Sequence, residues 1–384
     1  MTMNSFQYVS YAQEVVFEPG ALAKIGTIVE RYGLQRLMLC TSRSQRAAGC
    51  VTLIETALGD RLAAVYDSVS PHVLDIQVEE AAALAEKSQI DGVIGLGGGS
   101  PIGMAKALAY RLGRQSADGT APSVDGGRLI PVVAVPTTYA GSEMTAVFGI
   151  THTREDPPRK VTVKDPSIAP RLVIYDPELT LDLPPEMTAS TGFNALAHCF
   201  EALYSVTRHP VSSSVAVTGV RHIVHALPHC YADGSDLDTR SEMLLGAHLA
   251  GLSLASAKMA MHHGLCHVLG GSAGVPHGIA NAIMLPHVLR FNAPAAGELL
   301  LPAVEAMGIT TGEHDAAAAV EDAARQLDEL ARQMNLPRRL RDAGVKERDL
   351  PNLARLGFEN RTVHDNPRPV EDAAVIEQIL REAW

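Results

Sequence analysis

The chain has 384 residues, 46% of them hydrophobic and 20% charged, with a formal net charge of −11. That length suits about two to three domains with a sizeable core, and the acidic balance without any Lys/Arg-rich run excludes nucleic acid and anionic membrane surfaces as partners. The five cysteines (Cys40, Cys50, Cys199, Cys230, Cys266) are scattered and form no Cys-x-x-Cys pair, which points to reduced thiols in a cytoplasmic protein. Met1 to Glu18 lacks a basic-then-apolar leader pattern, and no apolar run reaches the roughly 18 residues of a membrane span.

In chain order, the segments 36–41, 62–66, 92–96, 131–135 and 171–175 are short apolar runs of the kind buried on both faces of a parallel sheet. Helix candidates Val73 to Lys87 and Ser100 to Leu112 alternate with them, which predicts an α/β domain over residues 1–180. After Pro184-Pro185 the texture changes. Glu186 to Val206, Val211 to Leu227 and Leu237 to Met261 are long and short of strand signals, so residues 181–384 are expected to form an all-α domain. Thr188 or Ser190 is the expected cap of its first helix.

Gly95-Leu96-Gly97-Gly98-Gly99-Ser100 ends a predicted strand and opens a predicted helix. Glycines there let a backbone approach an anion, and free N–H groups at the helix start point at it. No Gly-Lys-Ser/Thr follows, so this is not a Walker A loop, and the spacing departs from G-x-G-x-x-G. The next strand ends in Pro136-Thr137-Thr138-Tyr139-Ala140-Gly141-Ser142-Glu143, whose hydroxyls can donate to phosphate or ribose oxygens. Read singly, each loop is equally a tight turn with capping hydroxyls.

Four histidines crowd between Met261 and His277. On a helix Asn194 shares a face with His198, and His263 with His267. With His277 just past a glycine-rich turn, these residues can converge on a cavity that binds metal or moves protons. Lone histidines such as His222, His225, His229 and His248 read as ordinary core or surface side chains. His262 is expected to point away from His263, and His287 to cap a helix entry. The amide at Asn194 is a poor ligand for a transition metal.

Together these motifs resemble the iron-containing (group III) alcohol dehydrogenase family, over nearly the whole chain. The resemblance implies a parallel dinucleotide-binding sheet followed by a helical catalytic domain, of the dehydroquinate synthase-like architecture. By position His198, His263 and His277 fall on its metal-ligating histidines, and His267 on an active-site histidine. Gly97, Gly98, Gly99 and Ser100 fall on the pyrophosphate loop; Thr137, Thr138, Lys160 and Leu179 match cofactor-lining positions, to which Thr41 and Ser142 are added. Asn194 replaces the ligand carboxylate and Gly103 an acidic residue, and both departures are similar to the maleylacetate reductase branch. So are the segments 139–145, 175–180, 201–204, 262–267 and 366–369. Gly264 stands where that branch often has a lysine, and Pro276 to Asn281 resembles the broader alcohol dehydrogenase group.

The branch implies NAD(P)H-dependent reduction of maleylacetate to 3-oxoadipate in aromatic-compound degradation, with hydride delivered to the enone double bond. His263 or His267 is the expected proton donor, with His198, His277 and Asn194 stabilising the enolate. No metal is expected; if iron or zinc binds, its ligands are His198, His263, His277 and Asn194. Lys258 is one candidate for the substrate's carboxylates. NAD(H) is the expected cofactor and NADP(H) stays open, since Thr41-Ser42-Arg43-Ser44 has no acidic residue to hold a ribose diol. A homodimer with Phe6 to Val16 as a swapped edge strand is implied as well. The alternatives are a metal-dependent alcohol or aldehyde oxidoreductase of the same family, a dehydroquinate-synthase-like lyase, and a non-catalytic His-rich protein.

Overall fold

The computed structural model describes residues 6–113, 129–154, 159–311 and 315–384. The chain divides into two compact units, one formed by residues 10–138 and 142–183 and the other by 1–9, 139–141 and 184–384. In the first unit the order is β1 (Glu14–Phe17), α1 (Ile25–Glu30), β2 (Leu37–Cys40), α2 (Arg43–Ala47), α3 (Cys50–Leu58), β3 (Leu62–Tyr66), β4 (Val73–Leu74), α4 (Asp75–Ser88), β5 (Gly92–Gly97), α5 (Gly99–Gly113), β6 (Val132–Pro136), β7 (Val147–His152), β8 (Arg159–Lys164) and β9 (Leu172–Tyr175).

Six strands form one parallel sheet in the order β1-β9-β6-β5-β2-β3. The period-two alternation of a strand sends Met38, Cys40 and Val93 to one face against α4 and α5. Leu37, Leu39, Ile94 and Leu96 go to the other, against α1 and α3. Both faces are covered, which is why these strands read as unbroken apolar runs. The five expected strands are present within a residue or so of their expected ends.

Two features escaped the sequence reading. A second sheet, β4-β7-β8, contains an antiparallel pair, and the expected helix from Val73 begins at Asp75, because Val73 and Leu74 pair with β7. Within this chain β1 pairs with β9 along Glu14 to Phe17, so only the last part of the 6–16 segment is strand.

The second unit contains α6 (Pro185–Tyr204), α7 (Pro210–Ala232), α8 (Leu237–Ser256), α9 (Met261–Ala273), α10 (His277–Ala306), α11 (Ala316–Gln333), α12 (Leu350–Glu359) and α13 (Ala373–Ala383). Buried over most of its surface, α6 packs against α7, α8, α9 and α10. Its N-cap is Pro184, not Thr188 or Ser190; Thr188 is fully buried and accepts a hydrogen bond from Arg240 Nη1 at 2.9 Å. The expected helix from Leu237 to Met261 stops at Ser256, and extended backbone at Ala257 lets α9 start afresh at Met261. His287 lies inside α10, directly after the internal Pro286, and caps nothing. Among the described residues no single helix is long and apolar enough to cross a membrane.

Lys106 on α5 is fully buried in the first unit. Its ammonium donates to the Ser142 carbonyl (2.5 Å), the Val147 carbonyl (3.0 Å) and Thr145 Oγ1 (3.1 Å), pinning the segment that follows β6. Burial brings its pKa down to about 7, against the opposing pull of the Glu143 carboxylate. Between that value and an unfolded lysine's roughly 10.4, the unfolded chain holds a proton the folded chain lacks, so stability rises with pH over that window. Thermal midpoints recorded from pH 7 to 10 should therefore climb more steeply for the wild type than for Lys106→Met; equal slopes would contradict the depressed pKa.

Candidate active site

In the first unit β5 runs into the glycine loop and α5 starts at Gly99. Gly97 has φ +135, a region closed to most side chains, and a Cβ on Gly98 would lie 3.2 Å from the Thr138 side chain. A Cβ on Gly99 would meet nothing within 4 Å, so there is room beside the start of this 15-residue helix. Bare backbone, a helix N-terminus and room in front of it fit a pyrophosphate. Thr137 takes part through Gln45, whose Nε2 donates to Thr137 Oγ1 at 3.1 Å, while its N–H donates to the Gly97 carbonyl at 3.1 Å. Ser100 Oγ accepts from the His72 N–H at 3.2 Å.

Other expected cofactor positions lie deeper. Thr41 is fully buried and its hydroxyl donates to the Leu96 carbonyl at 2.9 Å, clamping the ends of β2 and β5 together. Ser142 is gripped by Lys106, and Leu179 packs half-buried against the sheet's core. The side chain of Lys160 lies outside the described residues.

The helical unit holds the histidines. Asn194, His198 and Glu201 form an i, i+4, i+7 stripe on α6. The rings of His198 and His263 stack with centroids 4.6 Å apart and 11° between planes. His263 lies 6.0 Å from His277 and 6.4 Å from His267, and those two rings are 5.6 Å apart. All four histidines singled out in the sequence thus meet in one string, buried at His198 and His263 and exposed at His267 and His277.

Glu201, which the sequence reading noted only within the 201–204 segment and gave no role, organises this string. No side chain of α9's own N-cap residue covers that helix's first N–H groups. The buried Glu201 does so from α6. It accepts the His262 N–H at 2.9 Å, the His263 N–H at 3.4 Å and the His263 Nδ1–H. A carboxylate at a helix N-terminus is favoured by unpaired N–H groups and the helix dipole. Burial raises its pKa, while the neighbouring His262 and those N–H groups oppose the rise. Burial also holds His263 well below the usual imidazole range, and the adjacent His262 and His267 push it the same way. A neutral His263 that donates Nδ1–H to Glu201 carries its lone pair on Nε2. His198 is held down by burial and then by His263.

His262 does not stand apart from the group. Its ring is 5.1 Å from His263, and its Nε2–H donates to Asn281 Oδ1 at 2.8 Å. Asn281 Nδ2 donates in turn to Asn194 Oδ1 (3.1 Å) and the His277 carbonyl (2.8 Å), and Asn194 Nδ2 reaches the Ala140 carbonyl at 3.4 Å. Each amide is fixed by this one-way chain of donors. A divalent cation does not fit it: the set has no carboxylate, Asn194 Oδ1 already accepts an N–H, and His198 and His263 stack rather than converge. Among the described residues no three His, Cys, Asp or Glu side chains are disposed to hold a metal ion.

Among the described residues three buried ring nitrogens, His198 Nδ1, His262 Nδ1 and His263 Nε2, have no hydrogen-bond partner, and the first and last belong to the stacked pair. Such atoms are costly in a finished core, so two on stacked rings mark where a ligand's polar group belongs. Lys258, the expected carboxylate partner, is largely exposed and lies 3.8 Å from Asp365.

Residues 12–177 match the iron-containing alcohol dehydrogenase model, and residues 188–384 the C-terminal model of the Fe-containing alcohol dehydrogenase family. The chain is 37% identical to maleylacetate reductase of Pseudomonas knackmussii over 370 residues, covering 96% of this chain and 95% of that one. The crystal structure of maleylacetate reductase from Agrobacterium tumefaciens superimposes with a TM-score of 0.85 at 33% identity, covering 100% of this chain and 99% of that one. A 1,3-propanediol oxidoreductase superimposes with a TM-score of 0.91 at 30% identity, covering 99% and 100%. The protein is an oxidoreductase of the iron-containing alcohol dehydrogenase family.

Proposed function

We propose that the protein is a maleylacetate reductase, taking maleylacetate to 3-oxoadipate with NADH or NADPH and without a metal. Backbone likeness alone does not choose among the family's substrates, since a diol oxidoreductase superimposes as well as the reductases do. The side chains favour the reductase. The observation that carries the reading is Asn194, an amide bonded through both its ends where a metal-dependent enzyme needs an anionic ligand. An alkoxide formed from a simple alcohol is a strong base and gains much from a Lewis acid. The enolate of a conjugated keto acid is milder, and hydrogen bonds suffice for it.

Gly97, Gly98, Gly99 and Ser100, with Thr137 and Thr138 alongside, would hold the reduced nicotinamide cofactor, which would supply the hydride for the carbon–carbon double bond. The 41–44 loop carries no acidic residue to hold a ribose diol, which would leave a 2′-phosphate acceptable. His198 Nδ1, carrying a proton and lacking a partner, donates to the enolate oxygen, with His277 and Asn194 fixing the substrate's orientation. One such donor is worth on the order of 3 kcal/mol in a preorganised site. His263 offers a lone pair rather than a proton, because Glu201 takes its Nδ1–H. The proton for the carbon next to the ketone therefore comes from His267, whose exposed ring is recharged from water.

Absorbance at the reduced-nicotinamide band tests the substrate. Maleylacetate should drive NADH oxidation with stoichiometric 3-oxoadipate, while simple alcohols with NAD should give turnover slower by orders of magnitude; the reverse preference would sink the assignment. Replacing His267 by Ala should lower kcat about 10²-fold. If His263→Ala loses the activity instead and His267→Ala retains it, the donor has been misassigned.

A further inference from the structure

Arg240 on α8 is one of the largest fully buried side chains in the molecule, at 1% exposure. Burying a guanidinium is expensive unless its donors are all used, so it marks a place where position matters. Nη1 donates to Tyr139 Oη at 3.0 Å and to Thr188 Oγ1 at 2.9 Å, and Nε donates to the Gly234 carbonyl at 2.9 Å. Tyr139, itself fully buried, begins a tripeptide that packs with the helical unit. The Tyr139 N–H reaches Thr191 Oγ1 at 3.5 Å and the Ala140 carbonyl receives Asn194 Nδ2 at 3.4 Å. Gly141 follows at φ +78, and a Cβ on it would lie 3.1 Å from Gly251 Cα and 3.7 Å from His198 Nδ1.

Arg240 and Gly251 stand about three turns apart on the same face of α8. One helix face thus fixes both ends of the tripeptide, by a hydrogen bond at one end and close backbone contact at the other. Between them the tripeptide touches two of the groups assigned to the reaction centre. It fixes the Asn194 amide through a carbonyl, and it brings the backbone of Gly141, which has no side chain, close beside the unpartnered His198 Nδ1.

We propose that the buried Arg240–Tyr139 pair is a positioning anchor, which seats Tyr139–Gly141 so that Asn194 and His198 are held in register for catalysis. The proposal rests on the reading of those two residues as the reaction centre. The Tyr139 hydroxyl touches no reacting atom; it acts through Ala140 and Gly141. Misplacement of catalytic groups by about 1 Å costs up to 10²-fold in rate, so loosening this anchor should be felt in turnover far more than in cofactor binding.

Tyr139→Phe removes the hydroxyl and keeps the ring's packing. Its kcat with maleylacetate should fall about tenfold with the Kd for NADH unchanged, while the thermal midpoint falls modestly because a buried Arg240 donor loses its acceptor, and a double variant with Asn194→Ala should lose no more turnover than Asn194→Ala alone. Wild-type kcat in Tyr139→Phe, or losses that multiply in the double variant, would overturn the anchor. A fall in kcat that disappears when the assay is run far below the variant's thermal midpoint would also overturn it, as plain loss of folded protein. Full turnover in Asn194→Ala would instead remove the reaction-centre reading, and the anchor with it. A slow Asn194→Ala beside a normal Tyr139→Phe would remove the anchor alone.

Discussion

One buried carboxylate governs the histidine site. Glu201 is fully desolvated, and it is stabilised there because it takes the N–H groups that the N-terminus of α9 leaves open. Its Oε2, which takes the His263 N–H, also accepts the His263 Nδ1–H. A single interaction thereby caps a helix, fixes where α9 begins, and decides which nitrogen of His263 carries the lone pair. Carboxylates that take the far N–H of an imidazole fix its tautomer in many metal sites, and their loss costs about 10- to 100-fold in affinity or activity. Here the same device acts on His263, a ring whose other nitrogen is left without a partner.

The amides explain why Asn suits position 194. Asn281 must accept from His262 and donate to Asn194, which in turn must donate to the Ala140 carbonyl. An aspartate has no N–H for that last step. Its oxygen would face a carbonyl oxygen in a buried setting, and only a cation between them would relieve the repulsion. An Asp with a metal and an Asn without one are thus two self-consistent versions of one site. On the function proposed above, Asn194 puts this site in the second version, with hydrogen-bond donors in place of a Lewis acid.

Much of this could be read from residue order alone, and the reasons differ by element. The parallel sheet announced itself because β2, β5, β6 and β9 are buried on both faces and so run apolar without interruption. His198, His263, His267 and His277 stood out because i, i+4 spacing on two helices is a local property. Glu201 followed the same stripe of α6 one turn later, a signal that was present and unused. What stayed hidden depends on distant contacts. Nothing local marks Arg240 or Lys106 as buried, or says that Asn281 bridges Asn194 to His262. The break at Ala257 and the short pairing of Val73 with Ile150 are likewise tertiary choices that propensity does not encode.

The central claim is that hydrogen bonds, not a metal, stabilise the charge that develops on the substrate. The direct test is the rate of NADH oxidation with freshly generated maleylacetate, using protein stripped by a strong chelator and assayed for residual metal. Undiminished turnover at metal occupancy far below one per chain is the expected result. Activity that vanishes on stripping and returns with iron or zinc would contradict the account, while leaving the fold and the family in place.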